Sequence, residues 1–131
     1  MRRLRVGDGA ERRRIFARAD VDGYRSLSGD PGLQFGPGDP DAVPGPLVAG
    51  MISDLLGTTL PGPGTMWLKQ TLRYPGTARI GGEVVAEIRV TRLRPDKGLV
   101  DLAATCRAGG EPVLEGDSLV LVPDLEDRYD R

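Results

Sequence analysis

The sequence predicts an α+β domain in which one long helix is enclosed by an antiparallel sheet. Three observations carry this. The segment from Pro46 to Gly57 has a wide apolar helical face. Nearly everything after it alternates apolar and polar residues at the period of a strand. Two hairpin turns, Arg94-Pro95-Asp96-Lys97-Gly98 and Ala108-Gly109-Gly110-Glu111, join the longest of those runs.

At 131 residues the chain fits one domain with a single packed core. Hydrophobic content of 39% with 28% charged residues reads as a soluble globular protein. The formal net charge of -1 argues against nucleic acid, which calls for a basic stripe. No apolar run approaches the ~18–20 residues of a membrane span, and no signal peptide is visible, so the expected location is cytoplasmic. Arg2, Arg3, Arg5, Arg12, Arg13 and Arg14 form a basic amino-terminal region. Its ordinary role is a solvated surface or contact with the acidic tail, residues 124–131; a site for the phosphates of coenzyme A is the alternative.

Residue usage removes several chemistries. The chain contains no histidine and a single cysteine, Cys106, within a strand-like run. A Ser-His-Asp triad and a Cys-His nucleophile therefore cannot be assembled within one chain. The commonest zinc ligand is missing too, so no metal site and no cofactor are expected.

The elements follow in order. The run Arg14-Ile15-Phe16-Ala17 is an expected edge strand. Asp20 is a candidate N-cap for a short helix with Val21, Tyr24 and Leu27 on one face, ended by Gly29. Residues 31–46 are so dense in proline and glycine that neither helix nor ladder can run through them, and a flap loop is expected there. Pro46 then suits the first helical position. Leu47, Val48, Met51, Ile52, Leu55 and Leu56 form the apolar face, while Ala49, Gly50 and Ser53 keep the opposite side thin. Strands are expected around Met66–Leu72, Val84–Val90, Val100–Cys106 and Leu119–Val122. This is the hot-dog architecture, and the free edge of so short a sheet predicts that two subunits pair.

Several residues resemble the MaoC-like family, which includes the (R)-specific enoyl-CoA hydratases. The resemblance runs from about Ala17 to Pro123. It is strongest from Leu47 to Thr65, where Leu55-Leu56-Gly57 is followed by Leu60-Pro61-Gly62-Pro63-Gly64. The fragments Asp20-Val21-Asp22-Gly23-Tyr24, Leu27-Ser28-Gly29-Asp30 and Arg79-Ile80-Gly81 add to it.

Such hydratases carry Gly-Asp-x-Asn-Pro-x-His, whose aspartate and histidine activate the water that adds across an enoyl thioester. A glycine amide at the head of the central helix holds the thioester oxygen. Carried onto this sequence, the resemblance implies Asp30 as the acid/base and Gly45 as the oxyanion donor. Ser53 and Leu56 then match positions shaping the acyl pocket, and Leu33 and Phe35 are expected to line it. The departures are large. The asparagine position is Gly32, the proline is Leu33, the histidine is Phe35, and the residues flanking the oxyanion glycine are Pro44 and Pro46. The loop from Asp30 to Gly45 is also shorter than the family's.

The implied function is a hydratase or dehydratase of an acyl-CoA, acyl-carrier or polyketide-like thioester with an aspartate-only site. One alternative is a non-catalytic, channel-forming subunit paired with a histidine-bearing hot-dog chain rather than with itself. Another is a biosynthetic cyclase using Asp30. A ligand-binding protein without turnover also fits. Asp30 has an ordinary reading as a turn aspartate satisfied by backbone amides, and Gly45 as part of a tight turn. For Asp54, on the enclosed helix, the expected explanation is an arginine partner from a strand.

Overall fold

The computed structural model describes residues 3–30 and 40–129. Five strands form one antiparallel sheet in the order β1-β3-β4-β5-β2. They are β1 (Gly9–Ile15), β2 (Met66–Gln70), β3 (Glu83–Arg94), β4 (Leu99–Ala108) and β5 (Glu111–Leu121). The helices are α1 (Arg18–Ser28), α2 (Gly45–Thr58) and the single turn α3 (Leu125–Arg128). The α+β hot-dog expectation holds: α2 packs against β1, β2, β3 and β5, with the sheet around it.

Alternation along the central strands fixes which face meets the helix. Val84, Ala86, Ile88 and Val90 on β3 and Val100, Leu102, Ala104 and Cys106 on β4 are buried, and they meet Val48, Met51, Ile52, Leu55 and Leu56 of α2 in one core. Burying a Leu or Ile side chain contributes ~1.5–3 kcal/mol, so this set is the main source of stability. The β4–β5 hairpin turns on Gly109 and Gly110, both at positive φ (60° and 82°). A two-residue turn of that hand matches the twist of the strands, and glycine enters it without steric cost.

Three local expectations are corrected. Asp20 is not the N-cap of α1, because Ala17 occupies that position. Asp20 lies a turn inside, where its carboxylate accepts a hydrogen bond from the Ala17 N–H at 2.8 Å, the returning arm of a capping box. Leu27 does not share a buried face with Val21; it is 91% exposed while Val21 is fully buried. Residues 124–131 are not a free tail as far as they are described. Leu125 is buried, and Arg128, also buried, donates to the Pro61 carbonyl at 2.8 Å. The basic amino terminus meets this segment: Arg3 donates to the carbonyls of Asp127 and Tyr129, and Leu4 bridges Tyr129.

The β2 edge differs from the rest of the sheet. Met66, Trp67 and Leu68 are all exposed, so neither of its faces is covered in the single chain. Beyond Gln70 the pairing with β5 continues through Thr71 N–H to the Asp117 carbonyl (2.9 Å) and Arg73 N–H to the Glu115 carbonyl (2.7 Å).

Candidate active site

The segment leading into α2 is tied to the sheet margin. Ala42 bridges Arg79, and Val43 donates to the Ala78 carbonyl at 2.8 Å. Pro44 is the N-cap, and the helix opens on Gly45, one residue earlier than the sequence predicts. Of residues 31–46, where a flap loop is expected, 31–39 lie outside the described residues and 45–46 belong to the helix. Leu47 and Val48 N–H both donate to the Pro44 carbonyl, at 3.0 and 3.3 Å. Pro46 has no N–H, and Gly45 N–H finds no acceptor among the described residues. The head of α2 thus presents one unused amide, at the positive end of the helix dipole.

Gly45 lines a cleft of about 320 Å³ together with Val43, Val48, Tyr74, Gly76, Thr77, Ala78 and Val113. Tyr74 lies directly on Gly45. A Cβ at position 45 would stand 2.5 Å from Tyr74 Cε1 and 2.7 Å from Cζ, so only glycine admits the ring there. Burial pushes the Tyr74 phenol above its usual 10.0, and the neighbouring Tyr24 and Cys106 add to the shift. The phenol is therefore neutral, and a hydrogen-bond donor, throughout the physiological range.

Asp30 lies just beyond the end of α1. Its backbone N–H donates to Ser28 Oγ at 3.1 Å, and its carboxylate accepts a long hydrogen bond from the Tyr24 hydroxyl, 3.5 Å from Oδ2. Tyr24 is near enough to Tyr74 for their phenolate charges to interact. Asp30 and Tyr24 are not among the residues that line the cleft at Gly45. Neither tyrosine was singled out for the site by the sequence. Twenty-nine positions separate Gly45 from Tyr74 by their numbering, so periodicity could not have paired them; only the fold does.

The remaining expected positions separate. Phe35 and Leu33 lie outside the described residues. Ser53 is on α2 and exposed, two helical turns along from Gly45. Leu56 is 2% exposed and packed into the core, away from the residues that line the cleft. Asp54 has the arginine partner that was expected, Arg12 of β1. Burial pushes the Cys106 thiol up to about 12, which leaves it an inert core group. Among the described residues no set of three or more metal-ligating side chains converges, and no helix is long and apolar enough to cross a membrane. A larger depression of about 770 Å³ lies on the sheet face away from α2, between charged residues such as Glu83, Glu87 and Arg107. It contains none of the residues expected in the site.

No family model matches the chain. The (R)-specific enoyl-CoA hydratase of Aeromonas caviae is 34% identical over 129 residues, spanning 92% of this chain and 96% of that protein. The chain belongs to the MaoC-like, (R)-specific enoyl-CoA hydratase family. The solved structure of an (R)-hydratase from A. caviae superposes with a TM-score of 0.84 at 33% identity, covering 92% of this chain and 98% of that one. The (R)-specific enoyl-CoA hydratase of Rhodospirillum rubrum is 46% identical over 79 residues, 60% of this chain. In that comparison the chain spans about half of its relative, 55% of its length. These relatives bear the names of hydro-lyases, and this member of their family contains no histidine.

Proposed function

We propose that the chain hydrates an enoyl thioester, or dehydrates the 3-hydroxyacyl thioester in reverse, with Asp30 moving the proton and the Gly45 amide holding the thioester oxygen. The observation that carries this reading is the head of α2. A helix amide without an acceptor among the described residues belongs to a residue that lines a cleft, at the position where the family resemblance calls for the oxyanion donor. An amide held there by the fold stabilises developing charge without reorganising, and one such donor is worth roughly 2.7–4 kcal/mol of barrier. Asp30, hydrogen-bonded by the Tyr24 hydroxyl, is the carboxyl group that the same resemblance assigns to the water. The substrate is an acyl-CoA or acyl-carrier thioester, in keeping with the names of the relatives.

The functional unit in this reading is a dimer. Met66, Trp67, Leu68 and Leu72 form an exposed apolar edge along β2 that a second sheet would cover.

A second reading is favoured by one specific observation, the complete absence of histidine. Here the chain is the channel-forming half of a heterodimer whose partner hot-dog chain supplies the Asp/His pair. The test is turnover of a panel of enoyl thioesters, beginning with crotonyl-CoA, by the purified chain alone and mixed with a histidine-bearing hot-dog chain. Turnover by the chain alone supports the first reading. Turnover confined to the mixture, and independent of Asp30, supports the second. No turnover in either case overturns both.

A further inference from the structure

We infer that Tyr74 is a second oxyanion donor, its phenolic hydroxyl acting beside the Gly45 amide on the thioester oxygen. The inference rests on the hydratase reading above and adds a residue to it.

Three observations converge on this side chain. Tyr74 lines the same cleft as Gly45. The ring atoms nearest to Gly45 are Cε1 and Cζ, at 2.5 and 2.7 Å from the site of a Cβ, so the hydroxyl-bearing end of the ring is carried over the head of the helix. Tyr74 is 41% exposed, so the residue is not sealed in the core. A glycine whose missing Cβ makes room for a tyrosine ring is an expensive arrangement for packing alone, since a smaller side chain at 74 would fill the same gap.

The chemistry balances with the groups present. An O–H bond of water breaks and its proton passes to the Asp30 carboxylate. A C–O bond forms at C3 of the enoyl chain, the C2–C3 π pair shifts to C1–C2, and the thioester carbonyl π pair moves onto oxygen. That oxyanion accepts hydrogen bonds from Gly45 N–H and Tyr74 O–H. The pair then returns to the carbonyl as C2 takes the proton from the Asp30 carboxyl. One water is added and no proton is left over. Where the family's histidine would share the work, a neutral phenol lowers the energy of the charged intermediate without itself giving up a proton.

The test is Tyr74→Phe, which keeps the ring on Gly45 and removes one oxygen. The expected result is a fall in kcat of about 100-fold, the scale for loss of one oxyanion donor, with KM changed less than about threefold and thermal unfolding unaltered. Unchanged kcat, or a rise in KM alone, overturns the assignment while leaving an active wild type and the hydratase reading intact. A wild-type chain without turnover overturns that reading, and this inference with it. An independent readout needs no variant: in chain labelled with ζ-13C tyrosine, saturating (R)-3-hydroxybutyryl-CoA is expected to shift the Tyr74 resonance. A resonance unmoved by bound thioester contradicts the contact.

Discussion

Arg12 on β1 and Asp54 on α2 form an ion pair, with Nη1 and Oδ2 3.2 Å apart, that ties the enclosed helix to the outer strand of the sheet. Arg12 also donates through Nη2 to Thr59 Oγ1 at 3.2 Å, beyond the end of the same helix. One guanidinium thus holds both the last turn of α2 and the residue that follows it. The Thr58 hydroxyl, within 3.3 Å of Asp54 Oδ1, makes its shorter bond to the Asp54 carbonyl at 2.6 Å. A carboxylate so engaged is structural.

Asp54→Asn is therefore expected to leave turnover within about twofold of wild type. Stability should fall by about 0.5–1 kcal/mol, the scale of a partly exposed ion pair. Urea denaturation alongside a crotonyl-CoA assay checks both halves, and a loss of activity without a loss of stability would make Asp54 a chemical group after all.

Gly116 allows the chain beyond β2 to lie against β5. The Thr71 carbonyl occupies the space that a Cβ at position 116 would need, and Gln70 Nε2 lies 2.9 Å from the same point. Thr71 is held in place: its N–H bonds the Asp117 carbonyl, and Asp117 N–H donates to Thr71 Oγ1, each at 2.9 Å. Backbone cannot step aside cheaply. Gly116→Ala is expected to cost ~1–3 kcal/mol of stability, as overpacking does, read as a lowered urea midpoint.

Cys106 sets an alkaline limb. Its thiol is raised from 9.0 to about 12 by burial, so the unfolded chain loses this proton before the folded one does. Stability is unaffected by the group below the unfolded value and falls as pH rises from about 9 towards 12, with a slope approaching ~1.4 kcal/mol per unit. Cys106→Ala, although less stable at neutral pH because it leaves a small cavity, is expected to show a shallower decline over that window. Equal slopes in urea titrations at pH 8 and pH 10 would remove Cys106 from the account.

The β2 edge carries the expectation of pairing. Trp67 and Leu68, 42% and 51% exposed, lie on the outermost strand, which pairs with β5 on one side only. Leu68→Lys places a charge there of the kind that blunts sheet edges. Sedimentation is expected to show a dimer for wild type and a monomer for the variant; a monomeric wild type contradicts the dimer.

The fold was legible because its pattern is repetitive. Val84 to Val90 and Val100 to Cys106 alternate without interruption, and the six apolar residues of α2 share one face; each reading used neighbours in sequence. The failures lie where tertiary contact overrides local signal. Asp20 has the chemistry of an N-cap, yet caps from inside the helix because Ala17 takes the extended conformation. Leu27 fails on local geometry instead: it is six residues from Val21, about 120° around a helix of 3.6 residues per turn, and so lies off the buried face. In the site, Asp30 and Gly45 were reached through resemblance, whereas Tyr74 was invisible because its meeting with Gly45 depends on how the chain returns along β5. Leu56 matched a pocket position by alignment, but in this chain it packs into the core.

Asp30 is the group on which the account turns, and its direct test is the turnover number for crotonyl-CoA hydration by the wild type and by Asp30→Asn, at matched thermal stability. The amide keeps the shape and the hydrogen bond from Tyr24 but cannot take a proton from water. A fall of at least 100-fold is predicted. Equal rates in the two proteins would contradict it, because the chemistry would then belong to some other group.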